Sequence, residues 1–265
     1  MDFESFVWML QEEKIHFHKA ADFDDPFEGA IPNYILEKYD EEGLDRELRW
    51  TEYSRELIFL SCWHQNDTQS AAMWDLYGKG NRSIAVKSSI PDLGRSLEEN
   101  DLPFGAGSVF YVDFESSPDE IGKRSEQIIK EVVEGKSNLK DSFHLKRESF
   151  EHEREIRVFS MFTEVLAAQD EWILETKDYD LPFDLVESDK FDEFSGLVPK
   201  QNGFNVDVDL DKMIDEVWIG PDASKRIRDA LGKTVDQTPH LDLSNSDIYR
   251  SEMYESPWVE TDIPE

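Results

Sequence analysis

The sequence predicts an α+β fold: a mixed central sheet with helices packed on it, in a single domain over residues 1–250, followed by a loosely held acidic tail over 251–265. Three observations point there. Residues 57–63 read L-I-F-L-S-C-W, a near-continuous apolar run of the kind found in a strand buried on both faces. Residues 108–114 and 156–162 alternate apolar and polar or bulky side chains with period two, as strands do. Residues 2–13 and 118–135 instead carry apolar side chains at helical spacing: Phe3, Phe6, Val7 and Leu10 in the first, Ile121, Ile128, Ile129, Val132 and Val133 in the second.

Composition narrows the function classes. The 265 residues are enough to bury a sizeable core, and the formal net charge is -32, spread along the whole chain. Such a surface repels nucleic-acid backbones and anionic membranes, so non-specific binding to either is not expected. It resembles the surfaces of proteins from salt-loving organisms, where salt screens self-repulsion. Cys62 is the only cysteine, which excludes an internal disulfide and a cysteine-built zinc site. The N-terminus lacks a basic region and apolar core, and no apolar run is long enough to cross a bilayer. A cytoplasmic protein is the expectation.

Taken in order, the helix over 2–13 leads to a short strand at 15–18, which sets His16 and His18 on one face. Two histidines with no third ligand nearby make a poor metal site. The segment F-D-D-P-F-E-G, residues 23–29, is a tight loop, because Pro26 bars helix at Asp25. Asp25 and Glu28 either cap that loop or form a carboxylate wall of a pocket. Residues 32–56 are polar and largely helical, with Trp50 and Tyr53 on one side. Met73, Trp74 and Tyr77 stand at helical spacing, as a core stripe or as a stacking platform for a ring, and Gly78 and Gly80 end that helix before a strand at 83–86. A second helix over 139–150 follows the one at 118–135, and short strands are expected at 172–174 and 183–186 with an acidic connector at 189–196. Residues 213–221 form a buried strand turning at Gly220-Pro221, a helix follows over 223–231, and 241–243 add an edge strand.

The most informative stretch is 146–157, K-R-E-S-F-E-H-E-R-E-I-R. If a strand begins by Glu153, then Glu153, Glu155 and Arg157 share one face, about 7 Å apart pairwise. Two carboxylates and a guanidinium on one patch bind a ribose, hold a cation or divide acid and base roles. If the helix continues instead, Glu151/Glu155 and Glu153/Arg157 are i,i+4 neighbours on a solvated face.

Several segments together resemble a prokaryotic family known as domain of unknown function 2971. Its pattern runs F-N-D-P-F-E, S-C-F-S, M-W-x-x-Y, V-x-Y, K-x-x-x-W-x-Y-E-x-E-x-R and a strand ending in I-G. The sequence supplies Phe23, Asp25, Pro26, Phe27 and Glu28, then Ser61 and Cys62, then Met73, Trp74 and Tyr77, then Val109 and Tyr111. Lys146, Glu153, Glu155 and Arg157 match the central block, and Ile219 with Gly220 the last, so the pattern spans roughly residues 10–245. It departs at Asp24 for Asn, Trp63-His64 for Phe-Ser, Phe150 for Trp and His152 for Tyr; the last substitution removes a phenol. Because the shared pattern is polar and aromatic rather than merely apolar, the resemblance implies a site.

Three chemistries suit these residues. In the first, the E-x-E pair resembles that of ADP-ribosyl transferases, with NAD or a similar nucleotide as ligand. Glu155 then orients the ribose, Glu153 acts as base or orienting partner, Arg157 or Lys146 neutralises phosphate, and Trp74 or Tyr77 stacks on a ring. Asp25, Glu28 and Tyr111 complete the ligand-binding set. In the second, Asp25, Glu28, Glu153 and Glu155 ligate Mg²⁺ or Mn²⁺ in a phosphoesterase or nuclease. In the third, the same pocket recognises a ligand without turnover.

Overall fold

A computed structural model describes residues 1–30, 32, 55–78, 80–100, 104–115, 143–161, 202–238, 241 and 248–255. The fold is α+β, with helices and three sheets among the described residues. None of their helices is long and apolar enough to cross a membrane. The chain divides into two compact units. The first comprises Met1–Ile15, Asn66–Glu99 and Asp207–Glu265, the second His16–Gln65 and Asn100–Val206. The segments expected as a helix at 118–135, strands at 172–174 and 183–186 and a connector at 189–196 lie outside the described residues. So do the tail beyond 255, nearly all of the polar stretch 32–56 and two of the three residues at 241–243.

In the first unit, helix α1 (Phe3–Glu12) begins at Asp2, whose side chain accepts a hydrogen bond from the Ser5 N–H at 2.8 Å. It ends at Glu13 in the left-handed region, φ 54°. Phe6, Met9 and Leu10 are its buried face. Helix α2 (Ala71–Tyr77) is capped by Ser70. The core-stripe reading of α2 is corrected here: none of its residues is buried, and Leu76 and Tyr77 are 57% and 51% exposed. Strand β3 (Ile84–Lys87) is followed by α3 (Ile90–Leu97), which buries Leu93, Ser96 and Leu97.

Farther along the chain, the first unit continues with the short helix α4 (Leu210–Met213) and strand β9 (Glu216–Ile219). The buried strand predicted over 213–221 is therefore shorter than expected, because Met213 closes a helix. Its turn and the helix behind it are observed, with α5 spanning Lys225–Asp236 from a Ser224 cap. At the turn a Cβ on Gly220 would lie 2.6 Å from that of Ser83, so the close approach of the two segments requires glycine. The sheet runs β10-β9-β3, antiparallel between β3 and β9 but parallel between β9 and β10 (Ile248–Arg250). Strand β10 was not expected from the sequence.

The second unit is built on a five-stranded sheet in the order β4-β7-β2-β1-β8: Gly105–Ser108, Glu155–Met161, Ile58–His64, Lys14–Lys19 and Gly203–Asp207. The apolar run around β2 does occupy the middle of the sheet, with Ile58, Phe59 and Leu60 almost fully buried. Strand β7 lies antiparallel to both β2 and β4. On one face of β7 are Ile156, Val158 and Ser160; on the other are Glu155, Arg157, Phe159 and Met161, level with His64, Cys62, Leu60 and Ile58 of β2. Phe17, Phe59 and Phe204 pack together on the apolar side, at ring separations of 5.9 Å (Phe17–Phe204) and 4.8 Å (Phe59–Phe204).

Three sequence expectations fail in this unit. The single strand expected over 108–114 is two, β4 and β5 (Phe110–Val112), broken at buried Val109, whose N–H donates to the Glu155 carbonyl at 2.9 Å. The break lets the chain leave the five-stranded sheet and pair in parallel with β6 (Leu145–Arg147). Within the expected helix 139–150, the described residues contain β6 and the start of a 3₁₀ helix, Glu148–Glu153. Glu153 ends that 3₁₀ helix rather than opening β7; Arg154, at φ 43°, turns the chain between them. The alternative of a helix continuing through Arg157 is excluded by strand β7.

Gly29 gives a first expected outcome. It sits at φ 69°, and a Cβ there would lie 2.4 Å from the Phe143 ring. Gly29→Ala should therefore cost about 1–3 kcal/mol through backbone strain and ring displacement, read as a lower urea midpoint at unchanged slope.

Candidate functional site

The loop at 23–29 folds on Asp25. Its Oδ1 accepts from the Phe27 N–H at 3.0 Å, and its carbonyl accepts from the Glu28 N–H at 3.0 Å. This turn drives the Glu28 side chain inward, where it is fully buried, and sets Asp25 against Arg147. Arg147 donates to Asp25 from Nη2 at 2.8 Å and from Nε at 3.3 Å, and its guanidinium lies 4.6 Å from the centre of the Phe27 ring.

At the centre is Arg157, wholly buried on β7. Its Nε and Nη2 grip the two oxygens of Glu155 at 2.7 and 3.2 Å, while Nη1 donates to Glu28 and to the Phe143 carbonyl. One guanidinium thus ties the 23–29 loop, the segment entering β6 and the strand itself. Lys146, facing the opposite way from Arg147 on β6, donates to Glu155 at 2.9 Å and also to Glu153. Its ammonium lies 4.9 Å from the centre of the Phe150 ring. The Tyr111 hydroxyl accepts the Glu155 N–H at 2.8 Å. Across the β2–β7 pairing, His64 lies opposite Glu155 and the exposed Cys62 lies opposite Arg157.

Three carboxylates here face two cations, and their environments push them apart. Burial alone would raise Glu155, but the charge and hydrogen bonds of Arg157, followed by the charge of Lys146, override it and hold the carboxyl at about 2. Glu28 moves the other way, because burial outweighs its one guanidinium contact and raises it; its Oε2 has no hydrogen-bond partner. Burial would lower Lys146, yet Glu155 and Glu153 raise it. Burial and the nearby Arg157 charge press His144 down to about 4. Burial raises Tyr111.

Lys146, Glu153, Glu155, Arg157, Glu28 and Tyr111 therefore converge, with Asp25 joined through Arg147, which stands next to Lys146 in sequence. Trp74 and Tyr77 stand on α2 of the first unit, where the Trp74 Nε1–H donates to Gln69 at 3.1 Å. Sequence reasoning missed Arg147 and His64. Reading 145–147 as a strand would have placed Lys146 and Arg147 on opposite faces and so found the former. Among the described residues no group of three or more His, Cys, Asp and Glu side chains is arranged to hold a metal ion.

Residues 73–158 match the family described as Protein of unknown function (DUF2971). The matched stretch, about a third of the chain, holds Met73, Trp74, Tyr77, Tyr111, Lys146, Glu153, Glu155 and Arg157. The 23–29 loop and the Ile219-Gly220 turn lie outside it, so the DUF2971 match is narrower than the motif pattern. No curated protein and no solved structure matches the chain.

Proposed function

We propose that the Glu155 cluster binds a nucleotide-like ligand and cleaves its N-glycosidic bond, in the manner of an NAD glycohydrolase or ADP-ribosyl transferase. The observation that supports this is the state of Glu155: a carboxylate gripped by Arg157 and Lys146, held near 2 and therefore anionic at any neutral pH. Cleavage at ribose C1′ develops positive charge on the sugar, and a fixed anion that accepts no proton stabilises that charge. Arg157, Lys146 and Glu155 are all buried and engaged with one another, so the two cations fix Glu155 in place and the carboxylate acts on the sugar through its field rather than by contact. Arg147, with 37% of its side chain exposed, is the cation open to a phosphate.

The geometry disfavours the divalent-cation reading. Each carboxylate named for it already carries a cationic partner, and the Lys146 ammonium fills the bite between Glu153 and Glu155. A metal ion would have to displace that ammonium.

The test is incubation of the protein with NAD and chromatographic assay of free nicotinamide. The wild-type chain should release it, and Glu155→Gln should lower the rate at least about a hundredfold, the scale of losing one preorganised electrostatic group. A melting shift with NAD but no release would assign recognition alone; neither shift nor release would reject the reading.

A further inference from the structure

A glycosidic cleavage by water needs a proton acceptor, and Glu155 at about 2 is too weak a base for that role. The same face of the sheet offers another. His64, directly opposite Glu155 in the β2–β7 register, places Nδ1 2.5 Å from the backbone carbonyl of Glu153. A carbonyl only accepts, so Nδ1 carries a proton, and in the neutral ring Nε2 then carries the lone pair. That Nε2 is covered and has no hydrogen-bond partner among the described residues, as is also true of Glu28 Oε2 and His144 Nδ1, so its burial is uncompensated. The ring itself is partly exposed, next to the exposed Cys62 two residues back on the same strand face. The E-x-E segment thus serves twice: Glu155 supplies the anion, and the Glu153 carbonyl fixes the imidazole tautomer, as the orienting group does in other histidine-based sites.

We propose that His64 Nε2 is the proton acceptor of this site, an inference that rests on the glycohydrolase reading above. The bond from ribose C1′ to the nicotinamide nitrogen breaks, and both electrons leave on nicotinamide, which departs neutral. The water oxygen forms the new bond to C1′, its proton passes to Nε2, and solvent then removes that proton.

His64→Asn tests the role, because the shorter amide keeps a donor toward the Glu153 carbonyl and removes the Nε2 lone pair. Nicotinamide release from NAD by this variant should fall at least about a hundredfold in kcat with KM nearly unchanged. In the wild-type chain, ¹⁵N spectra of the histidine rings at pH 7.5 should show His64 protonated at Nδ1 and bare at Nε2. Release that survives in His64→Asn rejects the assignment alone, and so does a proton on Nε2, whether or not the variant folds. Absence of release by the wild-type chain rejects both this role and the glycohydrolase reading.

Discussion

Replacing Arg157 with methionine lowers the free energy of unfolding by about 3–5 kcal/mol, the scale of breaking a buried ion pair from one side. The side chain is completely buried, and its loss strands Glu28 and the Phe143 carbonyl and removes both Arg157 hydrogen bonds to Glu155 at once. Most of the loss comes from what is left behind rather than from the contact removed. Glu155 keeps its hydrogen bond from Lys146, but the Glu28 carboxylate keeps no hydrogen bond among the described residues and only the more distant charge of Lys146. Adding Glu28→Gln to Arg157→Met should therefore recover at least about 1 kcal/mol by removing the orphaned charge. Equilibrium urea unfolding of the four proteins of this cycle measures both. Strict additivity of the two substitutions would show that Arg157 and Glu28 do not act as a unit.

Acidification is the second large effect, and its sign follows from three groups. Glu155 is held at about 2 against an ordinary 4.5, so its stabilisation is complete above 4.5 and is lost as the pH falls from 4.5 toward 2. A displacement of that size is worth on the order of 3 kcal/mol. His144 is held neutral, at about 4 against an ordinary 6.5; the unfolded chain binds its proton first, so stability declines as the pH falls from 6.5 to 4. Glu28 is raised above 4.5 and opposes this, since its protonation in the same window relieves a buried charge. Melting temperature should thus decline modestly from pH 6.5 to 4.5 and steeply below. His144→Phe should abolish the first decline, leaving only the slight rise on acidification that Glu28 gives, and leave the second limb; a curve unchanged by that substitution would show that His144 does not carry the first limb.

The parts of the fold legible in the sequence are those specified by local pattern. The apolar run before His64 announces β2, the alternation after Glu155 announces β7, and Gly220 with the helix behind it marks the turn after β9. The parts that were not legible depend on distant partners. Residues 145–147 have helix-forming side chains, yet pairing with Phe110–Val112 and the pull of Lys146 and Arg147 toward opposite carboxylates make them a strand. Val109 is the last residue bonded to β7, through the Glu155 carbonyl, and from Phe110 the chain pairs with β6 instead, so an apparently continuous strand is split by its change of partner. Strand β10 has no alternating apolar signal, since Tyr249 and Arg250 are exposed. In the site, spacing alone placed Glu155 beside Arg157, but the Glu28–Arg157 contact joins residues 129 apart in sequence, and no local pattern encodes it.

The most direct measurement is the Glu155 side-chain carboxyl ¹³C shift, followed by NMR from pH 7 to pH 2.5. A carboxylate gripped by Arg157 and Lys146 stays ionised through pH 3.5 and only begins to titrate at the acid end, with a midpoint near 2. A midpoint near 4.5 while the protein remains folded would show the grip absent in solution, and the fixed anion on which the proposed chemistry depends would be lost with it.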